Sequence, residues 1–95
     1  MTAYLIVEHL ITDPARFEQY RSKVVPMIER LGGRYLTRGG SHQILEGTWK
    51  PTRVAIIEFP DMVTLRAFYE APEYQPLFEL RRGTGTDVVI SIDGA

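Results

Sequence analysis

The sequence contains no cysteine. That absence excludes disulfides, thiolate nucleophiles and zinc sites built on sulfur. No apolar run approaches the roughly 20 residues of a membrane-spanning helix. The opening stretch, MTAYLIVEHL, has neither a basic leader region nor a small-residue cleavage site. A cytoplasmic location without a membrane partner is therefore expected. There is no excess of charge of either sign. Eleven Lys and Arg stand against 12 Asp and Glu, for a formal net charge of -1, which argues against nucleic-acid binding because that requires a basic face. Common catalytic spacings are missing too. Ser22, Ser41 and Ser91 lie in no GxSxG elbow. Arg38-Gly39-Gly40 lacks the lysine and helix start of a phosphate-binding loop. His9 and His42 have no HxxxH spacing. Neither a metal nor a cofactor is expected.

The chain reads as one small α+β domain over residues 1–95. Its centre of organisation is RVAIIEFPDMVTLRAFYEAPEYQPLFELRR, from Arg53 to Arg82. Val54 to Ile57 is a continuous apolar run, the mark of a strand covered on both faces. Pro60 ends that strand, and Asp61 is placed to cap a helix. Leu65, Phe68 and Tyr69 share a helical face. Ala71-Pro72 breaks the helix, and a second piece is expected to begin near Pro72. Upstream, Ala3–Ile11 predicts a first strand. Asp13-Pro14 starts a helix whose apolar face is Phe17, Tyr20, Val24, Met27 or Ile28, and Leu31. Pro26 predicts a kink or a boundary, and Gly32-Gly33 the end. Arg34–Arg38 predicts the second strand, with His42–Glu46 as a continuation past a bulge or a hairpin arm. Residues 87–92 predict the last strand.

The resulting order, β-α-β-β-α-β, is ferredoxin-like: four antiparallel strands with both helices on one face. Yet strands one, three and four carry apolar residues on both faces. Two helices cover only one of them, so a homodimer packed sheet against sheet is expected.

Several motifs together resemble the bacterial domain-of-unknown-function family 1330. They are GRYLTRGG, Glu46-Gly47, Glu58-Phe59-Pro60, and FYEAPEYQPL with Arg81 behind it. The likeness extends over nearly the whole chain. The family pattern usually has Trp where Phe68 stands and Ser where Ala71 stands. The resemblance implies a dimeric α/β barrel fold and no established activity.

Polar residues in or beside the predicted strands are His9, Arg38, His42, Glu46, Arg53 and Glu58, joined from the broken helix by Tyr69, Tyr74 and Arg81. Glu58 shares a strand face with Val54 and Ile56, so if that face is covered the carboxylate needs a cation. Arg38 and Arg81 are the expected partners, bordering a cleft with Tyr69 or Tyr74. In this reading Glu58 and His42 are candidate catalytic groups, while Arg38, Arg81, Tyr69 and Tyr74 bind a small anionic ligand. Three functions fit: a cofactor-free enzyme acting on a small anionic organic molecule between sheet and helices, a non-catalytic ligand-binding or sensor module, and a structural dimer.

Overall fold

The computed structural model describes residues 1–95. Strand β1 (Ala3–Ile11) leads into helix α1 (Pro14–Arg30), strand β2 (Arg34–Arg38), strand β3 (Val54–Phe59), helices α2 (Met62–Glu70) and α3 (Gln75–Arg82), and strand β4 (Gly85–Asp93). The four strands form one sheet in the order β2-β3-β1-β4, with every neighbouring pair antiparallel. The fold is α+β and ferredoxin-like, with the second helical segment divided in two.

The helix limits follow from local chemistry. Asp13 caps α1 by accepting from the Arg16 amide at 3.1 Å, and Pro14 opens the helix where its missing N–H is not needed. The helix runs on through Pro26 as one element, so no boundary falls there. It ends at Gly32, whose φ of 82° is left-handed. Asp61 caps α2 by accepting from the Thr64 amide at 2.7 Å. Ala71 is extended, with ψ of 138°, as a residue before proline must be. The next helix starts at Gln75 rather than at Pro72, with Pro76 in its first turn. A turn closed by the Tyr74 amide on the Ala71 carbonyl fills the gap.

Two polar devices join the layers. Arg16 of α1 donates from Nε to the Leu80 carbonyl at 3.0 Å, tying α1 to the carbonyl-rich end of α3. The Thr84 carbonyl accepts the amides of Thr12 and Asp13, which ties the end of α3 to the β1–α1 turn.

Alternation along the strands divides the sheet into two faces. Ala3, Leu5, Val7 and His9, with Ala55, Ile57 and Phe59, are buried under the helices beside Phe17, Val24, Ile28, Leu65 and Phe68. The other face carries Ile6, Leu10, Val54, Ile56, Val88, Ile90 and Ile92. No helix covers it, and Val88, Ile90 and Ile92 are each at least half exposed. The expected continuation of β2 through His42–Glu46 does not form. The bulge falls inside β2, between Tyr35 and Thr37. After Gly39, at φ 80°, residues 40–53 form a loop beside Val54 and Ile56 of the outer face.

Candidate functional site

The helix-side face of the sheet and the helices enclose a cavity of about 30 Å³, room for about one or two waters. Its apolar wall includes Leu5, Val7, Phe17, Ile28, Ala55, Ile57 and Phe68, and its polar wall is His9, Tyr20, Arg21, Tyr35, Arg38, Arg53, Tyr74 and Arg81. Sheet register brings these together. His9 lies directly opposite Asp87 in the β1–β4 ladder. The His9 amide donates to the Arg53 carbonyl at 2.8 Å, so the residue that leads into β3 sits beside the histidine. Arg38 pairs with Ala55, one strand further out.

His9 is 6% exposed, and its Nδ1 bonds the Asp87 carboxylate. A carboxylate has no proton to give, so the shared proton belongs to Nδ1, and in the neutral ring Nε2 is the acceptor. Phe17 packs edge-on against the imidazole, with ring centres 5.1 Å apart. Behind Asp87, Arg81 places Nε 3.5 Å from the second carboxylate oxygen. Arg81 is 4% exposed. Burial opposes its charge, but Tyr74, Tyr20 and Asp87 outweigh burial, and the guanidinium pKa ends above its ordinary value. While the phenols are neutral, Asp87 is its counter-charge.

The phenols form the floor. Tyr20 and Tyr74 share a hydrogen bond of 2.9 Å. Burial, reinforced by Tyr74, pushes the Tyr20 pKa far up. Burial also raises that of Tyr74, partly offset by Arg81. Tyr35 is pushed up to about 12 by burial, against the pull of Arg38, whose guanidinium lies 4.6 Å from the ring centre. The mouth is cationic. Arg53 stacks over Phe17 at 5.4 Å, and its buried Nε has no hydrogen-bond partner. Arg38 has no carboxylate within ion-pair distance either, while Arg21 reaches Glu18 at 3.6 Å. No group of three or more His, Asp or Glu residues is arranged to hold a metal ion.

The cluster expected from the sequence, Arg38, Glu58 and Arg81, does not assemble. Glu58 is on the outer face, opposite Arg34, and pairs with it at 3.0 Å. His42 is exposed in the 40–53 loop, beside a separate groove of about 510 Å³ lined also by Ile44, Trp49 and Ile56. Both candidate catalytic groups therefore lie away from the helix-side cavity, because their parity or loop carries them to the opposite face. Arg38, Arg81 and Tyr74 do line it. Tyr69 stacks on Tyr74 at 5.5 Å and faces grooves between the helices and β4 instead. Asp87 and Tyr20 are not singled out by the sequence. Their signal is weak: one of two acids in the last strand, and a tyrosine on the apolar face of α1.

Comparison with known proteins gives the fold a context. A protein of unknown function from Rhodopseudomonas palustris superposes with a TM-score of 0.79 at 17% identity, covering 99% of this chain and 82% of that one. A dimeric ferredoxin-like protein of unknown function from Jannaschia sp. CCS1 gives 0.73 at 14% identity, covering 99% and 100%. A mutant form of SnoaB, a cofactor-independent oxygenase from Streptomyces nogalater, gives 0.66 at 16% identity, covering 98% and 91%. At such identities the likeness is one of fold. No curated protein matches the sequence significantly. The model of the family Domain of unknown function (DUF1330) matches residues 2–95, and the chain belongs to that family.

Proposed function

We propose that the protein is a cofactor-free enzyme that binds a small organic anion in the helix-side cavity and works as a homodimer. One observation carries the first part: Arg53 presents a buried, unpartnered Nε beside an apolar cavity. A buried donor left unsatisfied costs about 1–3 kcal/mol. A carboxylate at the mouth would remove that cost and engage Arg38 as well. The cavity's apolar wall suits the remainder of such a molecule. SnoaB shares the fold and is a cofactor-independent oxygenase, so reaction without a cofactor is compatible with this architecture by analogy of fold. A non-catalytic binding module would use the same cavity. The buried His9–Asp87 pair favours the enzyme, because holding an anion does not require a proton-accepting imidazole.

The experiment is an NMR titration with butanoate and, in parallel, 1-butanol. Butanoate is expected to shift resonances of Arg38, Arg53 and Phe17 saturably, and Arg53→Gln to weaken binding at least tenfold. Equal responses to acid and alcohol, or shifts confined to other surfaces, would overturn the reading.

The homodimer rests on the bare outer face, where Val88, Ile90 and Ile92 are 59%, 51% and 50% exposed. The Jannaschia protein of the same fold is described as dimeric. Sedimentation is expected to give twice the chain mass for the wild type and a monomer for Ile90→Lys. A wild-type monomer at micromolar concentration would exclude this assembly.

A further inference from the structure

We infer that His9 is the proton-transfer group of this cavity and that its substrate is a small, enolisable oxo acid. The inference rests on the anion-binding cavity proposed above and adds the reaction and substrate class to it. Three observations lead there. The imidazole is almost wholly buried, lines the cavity, and has Nδ1 committed to Asp87, so the nitrogen left to accept a proton is Nε2. Arg81 stands behind Asp87 as an ion-pair partner at 3.5 Å, without a hydrogen bond from Nε, which makes Asp87 and Arg81 positioning residues for the ring. The backbone bond from His9 to Arg53 puts a cationic donor next to the base. A base beside a guanidinium is the pairing that enolate formation needs, since the proton leaves carbon as negative charge builds on oxygen.

The size of the cavity bounds the substrate. A space of about 30 Å³ takes an alkyl end of one or two carbons, leaving the carboxylate at the arginine mouth. In the step itself, His9 Nε2 takes a proton from the carbon next to the keto group. The C–H electron pair becomes the carbon–carbon double bond, and the carbonyl π pair moves onto oxygen, where Arg53 donates a hydrogen bond. The imidazolium sits against the Asp87 carboxylate. Return of the proton to carbon regenerates the neutral ring, and no electrons are gained or lost overall.

The test is to incubate the full chain with 2-oxobutanoate in deuterated water and follow loss of the C3 proton signal by NMR. Butanoate, which has no keto group, serves as the binding control. Saturable acceleration over buffer is expected, reduced about 100-fold or more in His9→Gln and unchanged in His42→Ala. Nitrogen-15 spectra of the wild-type ring provide a second reading that needs no variant, with a proton expected on Nδ1 and none on Nε2. If both acids bind and exchange is not accelerated, or if His9→Gln retains the full rate, the inference falls while the anion-binding reading stands. A neutral ring that carries its proton on Nε2 would overturn the inference as well. If neither acid binds, the cavity reading fails first and takes this one with it.

Discussion

His9 and Asp87 face each other across the β1–β4 ladder, 78 positions apart in sequence, with the imidazole Nδ1 on the carboxylate. Asp87 serves two cations or potential cations at once, since Arg81 approaches its other oxygen. Asp87→Asn removes the counter-charge of a guanidinium that is 4% exposed. Breaking a buried pair from one side costs about 3–5 kcal/mol. Denaturant unfolding is expected to show a loss of that order, and Asp87→Asn combined with Arg81→Met is expected to lose less than the sum of the single changes.

Tyr20 and Tyr74 are a second coupled pair. Tyr20→Phe leaves the Tyr74 hydroxyl without its 2.9 Å partner, at a cost of about 1–2 kcal/mol. The double change to phenylalanine is expected to cost little more than either single one, because no orphaned hydroxyl remains. Strict additivity in chemical unfolding would contradict the geometry.

On the acid side, Asp61 is informative. Its carboxyl is held below the ordinary value of 3.8 by hydrogen bonds from the Thr64 hydroxyl and then the Thr64 amide. A depressed folded-state pKa means that the stabilisation is fully present above the unfolded value and is lost as pH falls through the folded one. Below about pH 4 the melting temperature of the wild type is therefore expected to fall relative to that of Asp61→Asn, whose amide caps without titrating.

On the alkaline side the sign is reversed. Burial pushes Tyr35 up from 10.0 to about 12, so the folded state holds its proton more tightly than the unfolded chain. The stabilisation is complete below about pH 10 and disappears as pH rises through about 12. Tyr20 and Tyr74 act in the same direction. Phenolate absorbance from these three residues is expected to appear together with unfolding rather than ahead of it.

Gly85 and Gly47 make a contrasting pair. A Cβ on Gly85, at φ 152°, would stand 1.8 Å from the Leu10 carbonyl oxygen, whereas one on Gly47, at φ 97°, would meet nothing within 4 Å. Gly85→Ala is expected to cost about 3 kcal/mol or more through forced displacement of β1. Gly47→Ala is expected to cost only the left-handed backbone penalty of about 1–2 kcal/mol.

Much of the fold is legible in the sequence because local rules agree there. Asp13-Pro14, Gly32 and Asp61 mark helix limits by capping chemistry, and Ala71-Pro72 breaks the second helical segment where the backbone must be extended. The site is less legible. The run Val54–Ile57 is apolar at both parities, so it cannot reveal which parity faces the helices. A shift of one residue exchanges the faces. The pattern therefore allows Glu58 against Arg38 and Arg81, whereas it lies on the other side with Arg34. His9 continues the buried series Ala3, Leu5 and Val7, which is a signal of a polar group placed in the core. Its partner follows only from the β1–β4 register, which no local pattern encodes. Pro72 and Pro76 both suit a helix start, and the turn at Ala71–Tyr74 selects the later one.

The strand order has a kinetic consequence. β1 pairs with β3 on one side and with β4 on the other, and the β4 register runs from Ala3 opposite Asp93 to Ile11 opposite Gly85. β1 thus has its second edge covered only by β4, the strand most distant from it in sequence. Contacts of such long separation slow folding, because the intervening chain must be closed before they form. Until then β1 keeps an unpaired edge, and the imidazole of His9 has no carboxylate opposite it. Formation of the dyad therefore requires closure of a 78-position separation, one of the longest in the fold.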